Sequence, residues 1–167
     1  MTEIQAPYEC VTAFRGWIGT VEAAMAEYPG AIRGDDCAPL EHSFGDGLYI
    51  RKITMPAGML VTSKIHKKAH PYFVMQGDVS VMTEEGAVRI KAPYAGMTMP
   101  GTKRILFIHE ETVWITVHAT RHKDLKLIED EIIASSFEDL DAPQVMRRIT
   151  TACRFLVLRL KSLMHWR

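Results

Sequence analysis

Two histidines four residues apart, His66 and His70, sit in the stretch KIHKKAHPYFVMQG from Lys64 to Gly77. Neutral imidazole is a ligand for zinc, iron, nickel and copper. Side chains alternate across a strand, so Lys64 and His66 share one face. The intervening KKA can turn the chain and return His70 opposite His66. Two imidazoles fall short of the three protein ligands of a catalytic zinc site. His118, in the segment TVWITVHAT, is the candidate third ligand. His109 is another imidazole, but HEET around it reads as a turn.

Two cations, Lys64 and Arg104, are expected toward the same interior. They repel a metal ion and call for an anionic partner when buried. A guanidinium can grip a carboxylate or phosphate with two parallel bonds. Lys64 and Arg104 are therefore candidate ligand-binding residues. Tyr72 could stack on such a ligand or, with Phe73 and Trp114, fill the interior. Met55, Met59, Met75, Met82, Met97 and Met99 are expected to fill core gaps, as methionine commonly does. Nucleophile chemistry finds no Gly-x-Ser-x-Gly elbow, and no Gly-rich phosphate loop precedes a helix. Asp78, Glu84 and Glu85 read as solvated turn residues.

The elements that must position these groups follow from periodicity. Residues 11–28 place Phe14, Trp17, Ile18, Val21, Ala24, Met25 and Tyr28 at steps of three and four, which predicts an amphipathic helix ended by YPG. Residues 30–47 are rich in Gly, Asp and Pro and read as loop. From Leu48 the period changes. LYIRKIT, MLVTSKI, PYFVMQ, DVSVMT, AVRIK, RILFIH and TVWITVHAT are short β-branched or aromatic segments separated by turn signals. That spacing predicts an all-β sandwich or barrel. DLKLIEDEIIA then reads as a short acidic helix capped by Asp124. Residues 143–166 predict a basic amphipathic helix that packs on its own domain or on a protein partner rather than on a membrane. The expected parts are 1–47, 48–120 (the β unit), 121–137 and 138–167.

Bulk composition sets limits. Twenty Lys and Arg balance twenty Asp and Glu, which argues against non-specific nucleic-acid binding through the whole surface, and no specific nucleic-acid partner is expected. Residues 138–167 carry six basic side chains against three acids. Cys10, Cys37 and Cys153 are dispersed, which suits a reducing compartment. The first residues show no signal-peptide core, and no apolar run is long enough to span a bilayer. A cytoplasmic location is expected.

The histidine stretch and the later MPGTKR resemble the two motifs of the cupins. In that family two histidines one residue apart precede a glutamate and then a glycine. His66 falls at the second histidine, Lys64 at the first, His70 at the glutamate and Gly77 at the glycine. Arg104 falls where the second motif has its histidine, after Pro100 and Gly101. LYIRKITMPAG, KIHKKAH, APYAGMTMPGTKR and TVWITVHAT are also similar to short single-domain cupin-like proteins of bacteriophages and prophages. The resemblance implies a cupin-like β-barrel (jelly roll) with helices packed outside, and a homodimer. It leaves three functions open. One is a non-catalytic module, binding a small ligand or serving assembly, with a degenerate metal site. The second is a metal-dependent oxygenase or isomerase holding one divalent Zn, Fe, Mn or Ni on His66 and His70, with His118. The third is a virion or host-interaction component working through the basic C-terminal helix.

Overall fold

The computed structural model describes residues 5–32 and 34–140, without the side chains of residues 5–10. The helix expected over 143–166 lies outside the described residues. The chain is mostly β, with few helices. Helix α1 runs Gln5–Ala26, beginning earlier than its apolar stripe predicts. Its Ile18 is 1% exposed, and Glu22 pairs with Lys103 ahead of the last long strand. The strands are β1 (Leu40–Gly45), β2 (Leu48–Met55), β3 (Leu60–Thr62), β4 (Ile65–His66), β5 (His70–Thr83), β6 (Gly86–Lys91), β7 (Tyr94–Thr98) and β8 (Ile105–Ala119). Helix α2 (Leu125–Ile132) and strand β9 (Ile133–Ala134) follow.

A seven-stranded antiparallel sheet runs β1-β2-β8-β5-β6, with β3 on β8 and β7 on β5. Strands β4 and β9 pair separately. Three expectations change. The stretch 30–47 contains β1, paired along its length with β2 across an Asp46-Gly47 turn. Gly47 has φ 74°, the left-handed backbone such a tight link needs. PYFVMQ and DVSVMT are one strand, and so are RILFIH and TVWITVHAT. HEET is therefore mid-strand, where His109 bonds Ser80 and lies apart from the other histidines considered. Finally, PYAG, expected as a turn between strands, runs into β7, which spans Tyr94–Thr98.

Gly77 explains how β5 stays continuous. It sits at φ 97°, and an added Cβ would lie 2.4 Å from the Glu111 carbonyl oxygen. The pairing of β5 with β8 shifts on both sides of it, which marks a bulge. Inward positions are His70, Tyr72 and Val74 before the bulge and Val79 and Val81 after it. The inserted residue thus flips the alternation, and both halves keep an apolar inner face. Val74, Val79 and Ile108 are fully buried in the main core with Ile53, Met55, Leu106 and Trp114. Each such side chain contributes about 1.5–3 kcal/mol.

Two further corrections concern single residues. Asp78 is buried, held by both guanidinium contacts of Arg89 at 2.7 and 2.9 Å and by Lys91 at 3.3 Å, so it is no solvated turn acid. Of the methionines, Met55 is in the core and Met59 packs against it, whereas Met75, Met82, Met97 and Met99 are exposed. No helix among the described residues is long and apolar enough to cross a membrane.

Candidate metal centre

Three separate stretches bring the imidazoles together. His66 ends the short β4, which is held by β9 after α2. His70 opens β5, paired with Thr98 of β7. His118 lies near the end of β8, opposite Tyr49 of β2. The turn through Lys67–Ala69 does return His70 to His66, with ring centroids 4.3 Å apart. His118 completes the group at 4.2 Å from His70 and 5.5 Å from His66. One ligating atom from each lies within 4.8 Å of the others.

The chemistry of this group follows from its hydrogen bonds. Nδ1 of His70 lies 3.2 Å from the Lys68 carbonyl. A carbonyl only accepts, so Nδ1 carries the proton and donates, which leaves the Nε2 lone pair directed elsewhere. That Nε2 is buried and has no hydrogen-bond partner among the described residues, and Nδ1 of His66 is in the same condition. Nε2 of His118 lies 3.0 Å from the Thr116 hydroxyl. A carbonyl that fixes a ring's tautomer is the usual outer support of a metal-binding histidine.

All three rings are held neutral. Burial is the main cause for each. It takes His66 down to about 2, with further depression from His70, His118, Arg104 and Arg51. His70 falls to about 4 through burial and Arg104, against the opposing bond to Lys68. His118 falls to about 3 through burial, His70 and Arg51. Neutral imidazoles have lone pairs ready for a cation.

The group lines a cavity of about 750 Å³. Tyr49, Arg51, Ile53 and Met55 of β2 face it at alternate positions, with Leu106 and Trp114 of β8. Helix α2 closes one side, its Ile128 and Ile132 packed on Tyr49. Tyr49 also stacks on His118 and shares a 2.8 Å hydrogen bond with His42.

The three candidate ligand-binding residues divide. Arg104 is 8% exposed, donates to the Thr98 hydroxyl at 3.0 Å and lies over the Tyr72 ring at 5.1 Å. Tyr72 in turn stacks on Trp114 at 4.5 Å, nearly parallel. Lys64 is instead at the rim. It bridges Asp35 of the 34–37 turn and Glu129 of α2, so its ammonium is matched by two carboxylates rather than turned inward.

Sequence reasoning passed over Tyr49, Arg51, Asp35, Glu129 and Thr98. A signal existed for the first two. Tyr49, Arg51, Ile53 and Met55 share one face of a strand by simple alternation. Asp35 and Glu129 arrive from a turn and a helix, and nothing local marks them.

No family model matches the chain, and no curated protein is found similar to it. Among solved structures it is similar to KdgF from a Halomonas species, at 14% identity and TM-score 0.47, over 56% of this chain and 90% of that one. It is also similar to the DMSP lyase DddQ from Ruegeria pomeroyi, at 16% identity and TM-score 0.46, over 58% of this chain and 55% of that one. A cupin domain from Bordetella pertussis matches at 14% identity and TM-score 0.40, over 50% and 93%.

Proposed function

We propose that this chain is a cupin-type, metal-dependent enzyme acting on a small molecule in its cavity, with His66, His70 and His118 as the metal's protein ligands. The carrying observation is the pair of buried nitrogens, His66 Nδ1 and His70 Nε2, that meet no hydrogen-bond partner among the described residues. An unmet buried polar atom costs about 1–3 kcal/mol, and two in one cluster call for a ligand. Three imidazoles suit zinc, iron or nickel, while manganese favours oxygen donors. A metal held by three protein ligands keeps an open position and supplies Lewis-acid chemistry there.

The chain's own residues do the rest. The Lys68 carbonyl fixes the His70 ring. Ile53, Met55 and Trp114 give the cavity an apolar wall against which the body of a small molecule can pack. Arg104, held by Thr98 and Tyr72, places a fixed positive charge beside the histidines. A second reading, the non-catalytic ligand-binding module, draws on one observation: Arg104 stands in the interior where the resemblance would have a further histidine ligand.

The test is metal-dependent turnover. Full-length protein is stripped with chelator, reloaded with zinc, iron(II) or nickel, and followed by NMR against a small-molecule panel. Turnover that needs the metal and is lost in His70→Ala is expected. Stoichiometric metal without turnover of any compound favours the binding module, and turnover by metal-free protein refutes the proposal.

A further inference from the structure

The ladder between β5 and β8 ends at Tyr72 opposite Thr116. Two residues beyond that pair, one on each strand, stand His70 and His118, with ring centroids 4.2 Å apart. Two residues further again stand Lys68 and Thr120. Past Tyr72 the histidines pair with other strands, His70 with Thr98 of β7 and His118 with Tyr49 of β2. No ladder pair of β5 and β8 therefore joins the two histidines to each other. A carboxylate from a third element spans the gap. Glu131 of α2 accepts from the Lys68 ammonium with one oxygen and from the Thr120 hydroxyl with the other, both at 2.5 Å.

Both ends of this bridge lead to a histidine. The Lys68 carbonyl meets Nδ1 of His70 at 3.2 Å. Thr120 is buried, and its amide donates to the Gly47 carbonyl at 3.1 Å, which fixes the chain two residues past His118. Glu131 is itself set by the docking of α2, whose Ile128 and Ile132 pack on Tyr49. Lys67 ties the same loop to α2 twice, from its amide to the Ile132 carbonyl and from its ammonium to the Asp130 carbonyl, each at 2.8 Å. The Lys68–Glu131 pair is 49% and 28% exposed, and an ion pair so open to solvent adds little to folding stability. Its consequence lies in where it holds the loop, because a metal site needs its ligands placed to within about 0.5 Å by such outer supports. We propose that Glu131 is a positioning residue of the histidine trio: one carboxylate, bridging Lys68 and Thr120, sets the spacing of His70 and His118 that the ladder leaves open. The role deepens the reading of the site given above, and it rests on that reading for the metal but not for the geometry.

The test uses the full-length chain and two readouts. Cobalt(II) is titrated by visible absorption, which reports affinity and coordination geometry together. In chelator-treated protein, NMR with isotope-labelled histidine follows the hydrogen-bonded Nδ1 proton of His70. Glu131→Ala is expected to weaken cobalt binding by about ten-fold or more, to alter its spectrum and to abolish the His70 signal. Thr120→Val removes only the hydroxyl and should weaken cobalt by about three-fold or more. Adding it to Glu131→Ala should cost nothing further, because both cut one bridge. Lys68→Arg and Thr120→Ser keep the bridge and should stay within about two-fold of wild type. Glu41→Gln breaks an ion pair with Lys52 outside the cavity lining and should move neither readout. A melting temperature for Glu131→Ala close to that of Glu41→Gln separates positioning from folding. Should Glu131→Ala unfold, Thr120→Val and its rescue by Thr120→Ser carry the same comparison. A retained His70 signal in Glu131→Ala, or cobalt affinity within about two-fold of a wild type that binds it, overturns the inference and spares the metal centre. Wild type that binds no cobalt, with the His70 signal still lost in Glu131→Ala, overturns the metal centre and leaves the role of Glu131 standing.

Discussion

Acid should destabilise the metal-free protein through its histidine trio, well before its carboxylates titrate. His66, His70 and His118 are held at about 2, about 4 and about 3, against 6.5 for the free side chain. The sign follows from proton uptake. Below 6.5 the unfolded chain binds protons on these rings and the folded chain does not. The stabilisation is thus complete above 6.5 and is lost as pH falls toward the folded values. At about pH 5 the gap from the unfolded value is about 1.5 units, worth about 2 kcal/mol per ring at about 1.4 kcal/mol per unit. Solvent reaching the rings through the cavity mouth screens this, so about 1 kcal/mol each and about 3 kcal/mol in all is the working figure. Asp78, held at about 2 chiefly by its bond to Arg89, loses its contribution only below the ordinary carboxylate range, outside this window. Urea unfolding of chelator-treated protein at about pH 7.5 and about pH 5 measures the difference. A loss below about 1 kcal/mol refutes the reasoning, as does an equal loss in a His66→Asn, His70→Gln, His118→Asn variant.

Three other perturbations test the frame around the site. Gly77→Ala forces a side chain onto the Glu111 carbonyl at a left-handed backbone position, and thermal unfolding should show a loss of about 3 kcal/mol. Asp124→Ala removes the cap on the Leu127 amide, 3.0 Å away, and should cost about 1 kcal/mol in urea unfolding. Lys64→Met breaks two half-exposed ion pairs at the cavity rim and should cost less than about 1 kcal/mol, with any small loss fading at high salt.

The sequence was most informative where chemistry and alternation coincide. His66 and His70 are close in the chain, so a short turn was enough to predict that they meet. His118 was reachable because TVWITVHAT is plainly a strand. The capped helix at Asp124 was equally plain, since its signal is local. What escaped detection depends on distant pairing. Gly77 looks like a turn residue and is a bulge, because both halves of β5 share the partner β8. HEET looks like a turn and is mid-strand for the same reason. β1 was hidden by a polar, Gly-rich stretch whose strand character comes from pairing with β2. The ion pairs of Lys64 at the cavity rim were hidden because its partners, Asp35 and Glu129, lie far away in sequence.

The central claim is that three converging imidazoles bind one metal ion. Calorimetric titration of zinc into chelator-stripped, untagged full-length protein tests it directly, beside His66→Ala and His70→Ala. The account predicts about one equivalent bound by the wild type, with proton release no greater than neutral rings allow, and affinity lost by about ten-fold or more in either variant. Absence of zinc binding in the wild type, or the same binding in both variants, contradicts it.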